Sequence, residues 1–208
     1  MTIKRILELT LLYPVVTIAL LGPVAIVFMP HRCARLNANE TAAIATLRNL
    51  ASAQEQFRGI RAVDLDRDGR GEYGTFRELS AGGFLRGDEL LGRLHPPHLS
   101  GAFRTVGSAG EVNRSGYYFR IYLPGADGVP HCPDRPGAGY DRVNADLAEE
   151  HWFAHAWPMQ ITLKQRRMFF VNEDGVVFGT ELETALGRTG PDDEDQPDQR
   201  TRIWHEVR

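Results

Sequence analysis

Cysteine is scarce: Cys33 and Cys132 are the only two in 208 residues. A small scaffold held by several disulfides is therefore excluded, and at most one intrachain bridge can form. Positive charge is also short. Lys and Arg total 24 against 27 Asp and Glu, a net charge of -3, and no tract interleaves Lys/Arg with aromatics. Nothing here supplies the basic field that holds a phosphate backbone, so no nucleic-acid partner is expected. No Ser or Cys sits in a strand-to-helix elbow. The "GAGYD" stretch follows no strand and so makes no phosphate-cradling loop. Internal repeats are absent. With no catalytic constellation in view, a non-catalytic protein is expected.

What the chain has in excess is a long apolar run. Residues Ile6 to Met29, "ILELTLLYPVVTIALLGPVAIVFM", carry a single charge, Glu8. That length matches the roughly 20 residues that cross a bilayer. A cleaved secretory signal would have a shorter apolar core and a small-residue cleavage site, and "MPHRC" is a poor one. Residues 1–30 are accordingly expected to be a single membrane anchor, with membrane lipid as its first partner. Lys4 and Arg5 favour a cytoplasmic N-terminus, although His31, Arg32 and Arg35 follow the run. Glu8 is a costly group if it lies in lipid and a cheap one at headgroup level. Pro14 and Pro23 should loosen the helix locally.

Residues 31–58 change character. "NANETAAIATLRNLASAQEQFR" is rich in helix formers. Ile44, Leu47, Leu50 and Phe57 recur at helical spacing with Ala43, Ala51 and Gln54 between them, while Arg48, Asn49, Gln56 and Arg58 fall on the other side. This predicts an amphipathic continuation of the anchor helix, ended by Gly59. Residues 59–208 read as a globular α+β head. "TFREL" and "NADLAEE" suggest short helices, and "GDELLGRL" another, capped by Asp88. "GYYFRIYLPG", "WFAHAWPMQITL" and "RRMFFVNEDGVVFGTE" read as strands, the last with a tight turn at Glu-Asp-Gly. Residues 190–200, "GPDDEDQPDQR", form an acidic loop. The expected fold class is thus α+β: a long N-terminal helix, membrane-spanning in its first half, packed on a small antiparallel sheet.

The stretch "AVDLDRDGRGEYGTF" carries the most distinctive local pattern. Asp64, Asp66 and Asp68 occupy alternate positions and Gly69 follows, as in the opening of a calcium loop that curls round its ion. The Arg70 carbonyl and the Glu72 carboxylate could complete a short site, so Asp64, Asp66, Asp68, Arg70 and Glu72 are the candidate calcium ligands. The alternative is an Asp/Gly turn whose side chains cap their own backbone, with Arg67 and Arg70 pairing the aspartates. His151 and His155 have the i,i+4 spacing of helical metal sites. Trp152, Phe153 and Trp157 around them point instead to a strand with core aromatics. Cys33 and Cys132 either pair, if the head is extracytoplasmic, or remain two thiols.

Three features together resemble the type IV pilin and type II secretion pseudopilin superfamily. "ILELTLL" is similar to the apolar start with its buried glutamate, here Glu8. The apolar run ends in Pro30. "NETAAIATLRNLASAQEQFR" resembles the amphipathic half of the pilin-like helix. The glycine after which the family's prepilin peptidase cuts is lacking, so the resemblance is to a divergent member. It implies a bacterial inner-membrane protein with one span, a cytoplasmic N-terminus and a periplasmic head. It also implies association with other membrane or pilin-like subunits through the N-terminal helix. Two other functions stay open: an accessory subunit of a larger membrane complex on a pilin-like scaffold, and an anchored periplasmic ligand-binding or enzyme domain with a pocket at His151 and His155.

Overall fold

A computed structural model describes residues 37–87, 92–162, 165–191 and 204–207. The chain divides into two units, Met1–Ala38 and Asn39–Arg208. The anchor expected over residues 1–30, with Glu8, and Cys33 beyond it, lie outside the described residues, as does most of the acidic loop. The description below is of the second unit.

Residues 39–59 are helical and form helix α1. Its sequence alternates between two environments at a period near 3.6 residues. Ala43, Leu47, Leu50, Ala53 and Phe57 are buried together in the main core. Arg48, Asn49, Ser52, Glu55 and Gln56 are exposed. Gln54 falls on the buried face at 0% exposure, which requires partners for its amide. They are the two backbone groups of Gly74: Gln54 Nε2 donates to the Gly74 carbonyl at 2.8 Å, and Gly74 N donates to Gln54 Oε1 at 2.8 Å. Gly74 is confined here by Phe57, since a Cβ at this position would stand 3.0 Å from the ring. Gln54→Leu keeps the volume and strands both backbone groups. It is expected to lower stability by about 1–3 kcal/mol, read from chemical denaturation; an unchanged midpoint would show that the pair contributes nothing.

The body of the unit is an antiparallel sheet of seven strands: β1 (Val112–Arg114), β2 (Tyr117–Pro124), β3 (Pro130–His131), β4 (Phe153–Pro158), β5 (Arg167–Asn172), β6 (Val177–Glu181) and β7 (His205–Glu206). The order is β1-β2-β4-β5-β6-β7, with β3 pairing the end of β2 at Leu123 and Pro124. In the centre, Phe119 of β2 lies opposite Ala156 of β4, which lies opposite Phe169 of β5. Side chains alternate between faces along each strand. One face carries Tyr117, Phe119, Ile121, Leu123, Ala154, Ala156, Phe169, Val171 and Val177, in one core with α1. The other carries Tyr118, Trp157 and Met168 with Leu182, and Tyr122, Phe153 and Phe170 with Cys132. Trp204 packs against both of these clusters. Because both faces are covered, the runs "YYFRIYLP" and "FAHAWP" are buried almost end to end, and the polar-out alternation of a one-sided sheet is missing.

The β5–β6 hairpin turns at Gly175, in the left-handed region at φ 71°, where its N–H reaches the Asn172 carbonyl at 3.0 Å. Two short helices flank the sheet. In α2 (Phe76–Leu79) Thr75 and Glu78 form a reciprocal capping box. In α3 (Ala145–Glu150) the Asn144 side chain accepts from Leu147 N at 3.0 Å. The helix expected from Asp88 falls partly on residues 88–91, outside the described residues.

The expected fold class is corrected by this architecture. A pilin-like arrangement, one long helix half in membrane on a small head, is replaced by a seven-stranded sheet that carries α1 in its core and is flanked by the short helices α2 and α3. Among the described residues no helix is long and apolar enough to cross a membrane. The physical reason lies in α1 and in the strands. The polar side of α1 faces water and its apolar stripe joins the core of the sheet, as its spacing predicted, so α1 is one element laid on a sheet that builds most of the unit. The expected strand runs pair with one another in a single path, β1-β2-β4-β5-β6-β7, and the sheet organises the core on both of its faces.

Candidate functional site

The aspartate loop leaves α1 at Gly59 and reaches α2 through Glu72. Its ends are tied: Glu72 N donates to the Val63 carbonyl at 3.0 Å, and Glu72 Oε1 accepts from Leu65 N at 2.8 Å. Between them each aspartate accepts a hydrogen bond from the backbone ahead of it. Asp64 Oδ2 takes Gly69 N at 3.2 Å, Asp66 Oδ1 takes Asp68 N at 3.2 Å, and Asp68 Oδ1 takes Arg70 N at 2.7 Å. These turns need left-handed backbone at Arg67 (φ 62°) and at Gly69 (φ 88°). The spacing that suggested a cation loop therefore also produces a self-capped turn, and both draw the three carboxylates together. One oxygen from each of Asp64, Asp66 and Asp68 lies within 4.8 Å of the others.

Glu72 and Arg70, the other two expected ligands, turn elsewhere. Glu72 is 0% exposed and lies beside Arg86, with Oε2 3.3 Å from Nη2. Burial raises its pKa, against the Arg86 charge that lowers it. The guanidinium of Arg70 leaves the loop for α3. Its Nη1 stands 2.9 Å from Glu149 Oε2, and its Nη2 3.3 Å from Glu150 Oε1. The hydrogen bond to Glu150 and the charge of Glu149 raise the pKa of Arg70.

A second acidic group, which sequence spacing did not bring out, forms around Asp66. Asp146 and Glu149 of α3 each place a carboxylate oxygen within 4.8 Å of the other and of Asp66. They lie some eighty positions along the chain from the loop. The only local signal was that "NADLAEE" forms a capped helix with acids at both ends.

Behind the loop lies a buried ionic cluster. Arg86, 4% exposed, stands between Glu72 and Glu78, both at 0%. Its Nε is 3.3 Å from Glu78 Oε1, its backbone N donates to the same oxygen at 3.0 Å, and its Nη2 donates to the Tyr73 carbonyl. Asp134 caps α2 from the far side: Oδ2 accepts from Phe76 N at 2.8 Å and Oδ1 from the Tyr140 hydroxyl at 3.3 Å. Burial, reinforced by the Glu78 charge, pushes the Asp134 carboxyl up to about 6. The cluster joins the strand-like approach to α2, the helix itself and the 132–140 loop.

The two histidines are separated. His151 ends α3 and its ring Nδ1 lies 2.9 Å from Glu173 Oε1 at the surface. His155, 0% exposed, lies in β4 among Tyr122, Phe153, Phe170 and Trp204. A cleft between α1 and the β5–β6 turn is lined by Arg48, Glu55, Glu173 and Asp174 among others, and by neither histidine. Cys132 is a buried thiol beside the Gly110 carbonyl, its pKa pushed up to about 12 by burial. Comparison of the chain with protein-family models, curated proteins and solved structures finds no match.

Proposed function

We propose that this protein is a membrane-held, non-catalytic structural or interaction protein, with its folded unit outside the cytoplasm. The observation that carries the reading is the run Ile6–Met29, whose single charge is Glu8, placed ahead of a unit that buries its own apolar surface. A protein of this kind acts by where it is held and by what its exposed surface meets. Both sheet faces and the apolar stripe of α1 are occupied by the unit's own side chains. The partner surface is therefore polar, made of loops and of the outer side of α1. The partners are other membrane subunits, met through the apolar segment in the bilayer and through the folded unit outside it.

The test is fractionation of the native protein with protease added to intact cells and to cells opened at the outer membrane. The expected result is recovery of the full chain in the membrane fraction, resistant to alkaline carbonate, with residues 39–208 cleaved only once the periplasm is reached. Release by carbonate, or protection of that unit in opened cells, would overturn the reading. Detergent extraction with cross-linking then names the companions. Secretion machinery and an energy or transport complex are the two outcomes that separate a filament-type role from an accessory subunit.

A further inference from the structure

We propose that Asp66, Asp146 and Glu149 form a calcium site that ties the aspartate loop to α3, and that Arg70 competes with the ion for it. The site differs from the one that sequence spacing suggested, since two of its three carboxylates come from α3, and it does not depend on membrane attachment.

Distance supports it first. Two oxygens each about 2.3–2.6 Å from one calcium ion stand at most about 5 Å apart. The ligand oxygens of Asp66, Asp146 and Glu149 all lie within 4.8 Å of one another. The donor set is entirely carboxylate, which suits a hard divalent cation.

The second support is independent of the clustering. The Glu149 side chain is 2% exposed, and neither of its oxygens accepts a hydrogen bond. A buried carboxylate without hydrogen bonds is costly. The guanidinium of Arg70 approaches Oε2 at 2.9 Å, but it is itself half-exposed and divides its contacts with Glu150. Oε1 stays buried and is not bonded. Asp66 and Asp146, both exposed, complete the group, so an ion reaches it from solvent without unfolding. The loop triad shares Asp66 and adds to the same negative field, with Asp64 Oδ1 also buried and not hydrogen-bonded. Calcium at the Glu149 carboxylate meets the Arg70 guanidinium as a like charge, so the two cations compete for it.

The experiment is calorimetric titration of the full-length protein with calcium chloride, after chelation and dialysis, with magnesium chloride as the comparison. Calcium should bind and raise the melting temperature, and magnesium should do so weakly. Glu149→Gln should weaken calcium by about tenfold or more, the scale of losing a charged ligand. Asp146→Asn, at an exposed position that cannot disturb the core, should weaken it in the same direction. Arg70→Gln should tighten it several-fold, most clearly at low salt where charge competition is least screened. Absence of calcium binding in both the wild type and Arg70→Gln at millimolar calcium overturns the site and leaves a self-capped turn neutralised by arginine. Calcium binding that Asp146→Asn leaves unchanged assigns the ion to the loop triad alone and overturns the role of α3. If Glu149→Gln fails to fold, Asp146→Asn and Arg70→Gln decide the matter without it.

Discussion

Arg86→Leu is expected to lower stability by about 3–5 kcal/mol at neutral pH, the range for removing one partner from a buried ion cluster. Arg86 supplies the positive charge between Glu72 and Glu78, which are both fully buried. Leucine fills the stem volume but leaves two carboxylates in an apolar surrounding with no counter-charge. Their backbone bonds from Leu65 N and Thr75 N remain, and these limit the damage without removing the repulsion. The loss should shrink on acidification, because Glu72, whose pKa burial already raises, can then take up a proton and lie buried as a neutral group. Urea denaturation at pH 7 and pH 5 checks both parts. A loss under 1 kcal/mol at pH 7 would show that the arginine is dispensable. A loss equal at both pH values would show that packing, and not charge, is what Arg86 contributes. Replacement of all three groups by well-packed apolar residues is the more tolerant route, since desolvation of the ions offsets much of their attraction.

The second large effect is a pH dependence centred on Asp134. Burial raises its carboxyl to about 6 in the folded protein, while an unfolded chain loses the proton near 4. Between these values the folded state binds more protons, so stability falls as pH rises from about 4 to about 6 and then levels off. A shift of about two pKa units corresponds to roughly 3 kcal/mol as an upper scale. Glu72, Glu149 and Glu40 are also raised, burial being the first cause in each, and they tilt the profile in the same direction. Asp134→Asn isolates the single group. Asparagine can still accept from Phe76 N, so the fold should survive. The difference between variant and wild type should move in the variant's favour from pH 4 to pH 7. A difference that is flat over that interval would refute the assignment.

Much of the local structure was legible in the chain. The apolar stripe of α1, the capping box of α2 and the β5–β6 turn follow from spacing, cap chemistry and a glycine at a left-handed position, all of which act within a few residues. The class of fold was not legible. Gln54 sits where periodicity places a core residue, yet its partners are both backbone groups of Gly74, twenty positions away. Arg120 interrupts an aromatic strand run, and nothing in the run itself says where its charge goes. It is 0% exposed, donates to the Tyr122 hydroxyl and the Arg188 carbonyl, and lies over the rings of Tyr122 and Trp157. A second buried face needed a covering segment from 182–191 and Trp204, and no period in the strands reveals that cover.

The aspartate loop divides along the same line. Its sequence by itself determined that Asp64, Asp66 and Asp68 would converge, because alternate carboxylates capping successive backbone N–H groups curl any short chain with a glycine at the turn. It also determined that residues 6–29 are apolar enough in composition to suit a bilayer. Only the tertiary structure decided that Glu72 turns inward to Arg86, that Arg70 reaches out to Glu149, and that Asp146 and Glu149 of α3 stand beside Asp66. Pairings across some eighty residues depend on how the sheet brings α3 back against the loop, and the energy of that packing is spread over a core that no short stretch encodes.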